Sequence, residues 1–171
     1  MKNIIQLSIS VLMLLAVLSA CSLKSEEDAI ADAESAAEDT FMDETMIEPN
    51  YEYDGASFYL PENLDIKNQD ESNLVLTDGE QTYIVFYNEN EDALSELNYN
   101  AAQKNDTLLL ESFTDEEKFG YISVLPDKGE GYQLQVGIGG AKITTYTDKG
   151  KLAEDTMELM KIAKSIAVES K

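Results

Sequence analysis

The chain contains one cysteine, and it stands at position 21, directly behind the longest apolar run in the sequence. No disulfide can form within a chain that has a single thiol, so whatever folds here is stabilised by its own core, which a domain of somewhat over 100 residues can supply. The apolar run, Ile4 to Val17, is interrupted only by Gln6, Ser8 and Ser10, with Lys2 ahead of it and Leu18-Ser19-Ala20-Cys21 behind. A positive start, an apolar middle and small residues at the end are the layout of a secretory signal. The unbroken apolar part is shorter than the roughly 20 residues of a bilayer-spanning helix, which speaks against an uncleaved anchor.

Leu18-Ser19-Ala20-Cys21 resembles the lipobox of bacterial prolipoproteins at every position. The resemblance implies that residues 1–20 are a signal peptide, that diacylglycerol is attached to the Cys21 sulfur, and that the mature protein sits on the extracytoplasmic face of the cell membrane. That lipid is the only cofactor expected. Two acyl chains, at about 0.8 kcal/mol per buried methylene, hold a protein of this size without help from a basic patch.

No such patch is available. Twelve lysines and no arginine face 34 acids, for a net charge of −22, and cleavage before Cys21 removes Lys2 as well. A field of that sign repels nucleic acid and anionic lipid, so the protein part is expected to bind neither, and contact with the membrane falls to the lipid anchor. There is also no histidine. Without imidazole or a free thiol, Ser-His-Asp and Cys-His catalysis cannot be assembled, nor can the zinc, copper or non-haem iron sites that rely on those ligands.

Twelve acids fall between Glu26 and Asp54, and no basic residue occurs from Ser25 to Ile66. So little apolar surface is expected to leave the chain unordered, and residues 21–54 read as a lipidated cysteine followed by a flexible acidic tether. Ser25-Glu26-Glu27-Asp28 has the form of a capping box, with Ala29, Ile30, Ala33 and Ala36 at helical spacing behind it, so a transient helix is expected within the tether. Glu38 and Asp39 at its far end oppose the helix dipole.

Residues 55–171 read as a globular α+β domain. Ser57 to Leu60, Asn73 to Thr77 and Gln81 to Asn88 have strand character, with Asp78-Gly79 predicting a tight hairpin between the last two. Tyr83 to Tyr87 is apolar or aromatic on both alternating faces, which predicts a strand covered on both sides. The period then changes: Leu94, Leu97 and Ala101 predict a helix over 92–104 capped by Asp92. Thr107 to Phe113, Lys118 to Leu125, Gly131 to Ile138 and Ala141 to Tyr146 are joined by connections short enough to force antiparallel neighbours. On the third of these, Tyr132, Leu134, Val136 and Ile138 point one way, and Gln133, Gln135 and Gly137 meet water or a partner on the other. Finally, Leu152, Thr156, Leu159, Ala163 and Ile166 recur at four, three, four and three residues and predict a long C-terminal helix with one buried stripe. The expected fold is an antiparallel sheet of about six to seven strands with a central helix and a long C-terminal helix packed on it. This element order, together with Phe58-Tyr59-Leu60-Pro61, resembles the Mog1/PsbP-type sandwich found among small exported lipoproteins. No functional residue is carried over from that resemblance.

The residues offer few sites for chemistry. Glu111 on a strand could serve a carboxylate hydrolase acting on envelope glycan, and Asn88-Glu89-Asn90-Glu91-Asp92 bunches hard oxygen donors, though without the alternation of a calcium-binding EF-hand loop. Gly137 to Lys142 has glycines but lies between two strands, where a hairpin is expected instead of a phosphate-binding helix start. Lys161 and Ser165 are one helical turn apart, on an edge expected to face water, where lysine would not be desolvated enough to act as a base. No catalytic residue and no metal ligand is therefore assigned. Five strand tyrosines, Tyr83, Tyr87, Tyr121, Tyr132 and Tyr146, form a candidate binding surface for an envelope protein or glycan, with core packing as the alternative. The function expected is that of a lipid-anchored, non-catalytic binding domain, with a glycan hydrolase or a calcium-binding surface protein as alternatives.

Overall fold

The computed structural model describes residues 24–53, 56–70, 73–129 and 131–169; the expected signal segment, Ala20 and Cys21 lie outside the described residues. The elements are α1 (Glu26–Met42), β1 (Tyr51–Tyr53), β2 (Ala56–Phe58), β3 (Asp65–Gln69), β4 (Asn73–Thr77), β5 (Thr82–Tyr87), α2 (Leu97–Ala102), β6 (Leu109–Thr114), β7 (Phe119–Pro126), β8 (Gly131–Ile138), β9 (Ala141–Asp148) and α3 (Leu152–Glu169). The fold is α+β. Strands β3 to β9 make one antiparallel sheet in the order β3-β4-β5-β9-β8-β7-β6, and β1 and β2 pair separately.

The sheet is two meanders, β3-β4-β5 and β6-β7-β8-β9, closed by pairing of β5 with β9. Short connections dictate the β4–β5 hairpin and the β6-β7-β8-β9 meander, as the sequence predicts; β3 is not among the expected strands, and the strand expected over 57–60 pairs with β1 outside this sheet. Asp78-Gly79 forms its hairpin as a longer turn over 78–81: Gly79 takes φ +97°, and the Asp78 carboxylate accepts the N–H groups of Glu80 (2.9 Å) and Gln81 (2.7 Å). Between the meanders the chain leaves β5 in mid-sheet, crosses over residues 88–108 and enters β6 at the far edge.

Alternation sorts the sheet into two faces. Tyr132, Leu134, Val136 and Ile138 of β8 are buried, and so are their partners Thr147, Thr145, Ile143 and Ala141 on β9. Against this face lies α3, with Leu152, Thr156, Leu159, Ala163 and Ile166 buried as their spacing predicts. Met160, Ile162, Lys164 and Ser165 are buried too, more than one stripe allows.

The extra burial comes partly from the β2 end, where Ser165 meets Tyr59, and partly from α1, which packs beside α3 and on β6 and β7. This corrects the reading of residues 21–54 as a disordered tether. Residues 26–42 form a docked helix, and β1 also falls in that stretch. The expected cap is present, with Ser25 Oγ accepting the Asp28 N–H at 3.0 Å. The buried stripe is Ala29, Ala33, Ala37 and Phe41, each 0% exposed. Small side chains bury little area each, but they let two helices approach closely, and Phe41 supplies the large apolar group at the end of the row. Its ring lies 5.8 Å from that of Phe113 and directly over Gly120, where a Cβ would come within 2.7 Å of it. The dipole opposed by Glu38 and Asp39 is answered from the neighbouring helix: Lys164 Nζ donates to the carbonyls of Thr40 (3.3 Å) and Asp43, at the C-terminal end of α1. A cation absent from the local sequence is supplied by tertiary contact.

Three smaller expectations also change. The helix expected over 92–104 is limited to α2, and Leu94 (48%) and Leu97 (54%) are exposed while Asn98 and Ala102 are buried. Tertiary hydrogen bonds hold the segment in turns: Phe119 N–H to Ala93 O at 2.8 Å and Asn98 Nδ2 to Gly139 O at 3.1 Å, while the Asp92 carboxylate accepts from Leu94 N–H and its carbonyl from Ser95 N–H. Strand β5 is interior to the sheet, yet only one of its sides is covered, since Ile84 is 44% exposed. Ser165, on the edge of α3 expected to face water, is buried, accepting from Tyr59 N–H at 2.9 Å and donating to Ile162 O.

Phe41→Ala is expected to lower stability by about 3–5 kcal/mol in urea unfolding. A loosely attached helix would show a change within about 0.5 kcal/mol. The acid limb has its own test. The Gln81 N–H holds the Asp78 carboxyl below the usual carboxylate range, against a smaller opposing effect of burial, with the Glu80 N–H and the Tyr83 hydroxyl adding to the lowering. A carboxyl lowered in the folded state contributes stability that is complete above its unfolded pKa near 4 and is lost as pH falls through the lower folded value. Asp78→Asn keeps the turn's acceptor but cannot titrate, so it should flatten that part of the stability curve in unfolding measured from about pH 6 to about pH 3.

Candidate functional site

The five candidate tyrosines do not form one surface. Tyr83 (6%), Tyr121 (2%) and Tyr132 (6%) are buried, Tyr87 is half-buried, and only Tyr146, at 57%, is exposed. Tyr83, Tyr87 and Tyr132 lie on the helix-covered face, and Tyr121 and Tyr146 on the opposite one. Burial, with Asp155 and Asp78 nearby, pushes the Tyr83 hydroxyl up from its ordinary pKa, and burial alone does so for Tyr121. Core packing accounts for most of the group.

The surface that the fold leaves open is the second face of the sheet. Cross-strand register sets its residues in rows. One row runs Phe86, Lys142, Gly137, Tyr121 and Ser112; the next runs Val75, Ile84, Thr144, Gln135, Ser123 and Leu110; a third places Tyr146 beside Gln133 and Leu125. The crossing segment covers part of it, with Tyr99 edge-on to Phe119 (5.4 Å) and Tyr121 (6.0 Å). Within the rows Tyr121, Gly137 and Ser123 are buried, while Val75, Ile84, Thr144, Gln135, Gln133 and Tyr146 are exposed or half-exposed.

A polar chain runs through the middle. The Tyr121 hydroxyl donates to Gln135 Oε1 at 3.0 Å, and Gln135 Nε2 donates to Thr144 Oγ1 at 3.2 Å. Tyr121 closes over Gly137, where a Cβ would meet its ring at 2.5 Å. Beside this chain Ser123 Oγ is fully buried and has no hydrogen-bond partner among the described residues. Lys142 Nζ lies 4.9 Å from the centre of the Phe86 ring, a cation-π contact, and burial lowers its pKa.

Charge is what separates this face from the rest of the protein. At the face positions of β4 to β9, the charged side chains among the described residues are Lys142 near the centre and Asp148 at one end. In a chain with 34 acids, Asp148 and, on the edge strand β3 beside Thr77, Asp65 stand at the margins of this face, and the area between them is without a carboxylate. The signal was present in the sequence: residues 131–147 contain no acid, and Lys142, Thr144 and Tyr146 alternate with buried Ala141, Ile143 and Thr145. Reading the tyrosines as a class obscured it, because strand parity, not residue type, decides which face a side chain takes.

The other sequence candidates lie apart. Glu111 is exposed on the edge strand β6. In the 88–92 loop, Asn88 Oδ1 accepts from Asn90, Asp92 from Leu94 N–H, and Glu91 from the Ser95 hydroxyl. No group of three metal-ligating side chains occurs among the described residues. Gly139-Gly140 makes the β8–β9 hairpin. Lys161 pairs with Glu158 at 3.1 Å, away from Ser165. No described helix is long and apolar enough to cross a membrane.

Comparison with protein-family models, with curated proteins and with solved structures finds no match in any of the three.

Removing the Ser123 hydroxyl deletes a buried polar atom that gains nothing in return. Ser123→Ala is expected to leave stability unchanged or raise it by about 1 kcal/mol in urea unfolding, and a loss would reveal a partner for the hydroxyl.

Proposed function

We propose that this chain is a lipoprotein, anchored through diacylglycerol on Cys21 at the extracytoplasmic face of the cell membrane, whose domain binds another envelope protein through the open face of the sheet and catalyses no reaction. The observation that carries the binding role is a sheet face whose middle holds no carboxylate, on an otherwise strongly acidic protein. Depletion of charge with retention of aromatic and amide groups is the composition of an interface core, and the acids around it serve as the polar rim. A protein partner fits a broad, flat strand surface of this kind. The anchoring role rests on the layout of residues 2–21, charged start, apolar run and a single terminal cysteine.

The two halves are tested separately. Cys21→Ala should abolish membrane fractionation or leave the precursor uncut, and normal processing with membrane retention would overturn the anchor. For the binding role, a photo-crosslinking residue at Tyr146 should capture a discrete envelope protein in cells, whereas the same residue at Met157, exposed on the helix side, should not. Ile84→Asp should abolish the Tyr146 capture while changing stability by no more than about 0.5 kcal/mol, as expected of an exposed position. Equal capture from both sides, or capture indifferent to Ile84→Asp, would refute the assignment.

A further inference from the structure

We infer that one particular end of the domain faces the bilayer at close range: the end built from the start of α1, the β7–β8 turn and the turn between β9 and α3. The inference rests on anchoring at Cys21 and adds to it an orientation and a distance. Ser25 caps α1, and Lys24 is half-buried and paired with Asp32, so the chain is fixed in place from residue 24 onward. Cys21 lies only three residues earlier. Three residues reach at most about 11 Å, roughly one Debye length at physiological salt. A flexible leash of some thirty residues would have let the domain tumble; a docked α1 removes the leash.

The location of this end in the fold follows from what surrounds Glu26. It borders a depression of about 430 Å³ with Pro126, Asp127 and Gly129 of one turn and Lys149 and Gly150 of the other. Both helices start here and run in the same direction, since Lys164, late in α3, reaches the last carbonyls of α1. The opposite end, with the 88–92 loop and the 115–117 turn, lies about 25 Å away, the length of the 17-residue α1.

Charge does not select the near end. Lys24, Lys128, Lys149 and Lys151 belong to it, but so do Glu26, Glu27, Asp28, Asp127, Asp148, the acids of the 78–81 turn, and Glu154 and Asp155 in the first turn of α3. At the far end Glu89, Glu91, Asp92, Asp115, Glu116 and Glu117 are accompanied by Lys118 and Lys164. Both ends are net acidic, so the acyl chains and the short link to them, not attraction to anionic lipid, hold the near end at the surface.

The test uses the acylated full chain in vesicles of phosphatidylglycerol and phosphatidylethanolamine. Because acylation consumes the one native thiol, a fluorophore can be placed on Lys128→Cys or on Glu116→Cys, both exposed turn positions. A quencher carried on the lipid headgroup should quench position 128 at least about threefold more than position 116, given a separation near 25 Å. A flexible Gly/Ser insert of about 20 residues between Leu23 and Lys24, spanning roughly 25 Å, should bring the ratio close to one. Equal quenching in the acylated protein without the insert, or stronger quenching at 116, overturns the orientation and leaves the anchor standing. Asymmetry that survives the insert overturns the short-linker cause. An unmodified Cys21 thiol in the mass of the membrane-extracted protein overturns the anchor itself, and the orientation with it.

Discussion

The contact between α1 and the rest of the fold is what the structure depends on. Seven strands present one continuous apolar face, and α3 alone covers only its β8–β9 part. Leu109, Phe113, Ile122 and Val124 at the other end would lie open to water without α1 across β6 and β7. Two features keep that helix in place, and they act by different physics. Phe41 over Gly120 is shape: the glycine leaves a recess in the sheet that the ring fills. Lys164 against the Thr40 and Asp43 carbonyls is electrostatics: a half-desolvated ammonium satisfies acceptors at the helix end and opposes the local excess of acid. Burial lowers the Lys164 pKa, with Asp43 pulling the other way, as expected of a cation placed between a core and a helix terminus.

Much of the domain was legible in the sequence because its strands and last helix obey short-range rules. The four strands from Leu109 to Asp148 alternate, their connections are too short for anything but antiparallel neighbours, and α3 repeats its apolar residues at helical spacing. Where the reading failed, a tertiary contact overrode a local signal. Alanine-rich and acidic, α1 has the composition of a solvated segment, and the partners that order it lie over a hundred residues away at Lys164 and some eighty away at Gly120. Leu94 and Leu97 have helical spacing, yet the bonds donated by Phe119 N–H to Ala93 O and by the Asn98 side-chain amide to Gly139 O set the crossing segment's path first. Composition describes how much apolar surface a segment brings, not how well that surface fits a recess elsewhere.

The candidate face was half legible. The Gln133, Gln135, Gly137 side of β8 can be read from alternation as meeting water or a partner, and the structure extends that side across the sheet through register. Residue type misled where parity did not. Of five tyrosines on strands, Tyr83 and Tyr132 serve the core, Tyr87 is half-buried against it, Tyr121 is buried on the opposite face and Tyr146 is exposed there, because a tyrosine ring is large enough to be useful in either place. The better signal was negative: in a sequence where acids are nearly one residue in five, the run from Gly131 to Thr147 has none, and it marks two strands with one side buried and a single charge, Lys142, on the other.

A docked α1 also changes what the acidic charge can be for. On a flexible leash, repulsion among carboxylates would extend the chain and hold the domain away from the membrane. With the helix packed, Glu26, Glu27, Asp28, Asp32, Glu38 and Asp39 are fixed on the outer side of a rigid body, and they can no longer act as a spring. They become part of an acidic shell that surrounds the helix side and the far end of the domain and stops at the sheet's open face. Like-charge repulsion then disfavours approach of another acidic protein, or of a second copy of this chain, everywhere except at that face. Because the strands run between the near and far ends, the open face lies lengthwise along the side of the domain, with Lys142 near its centre.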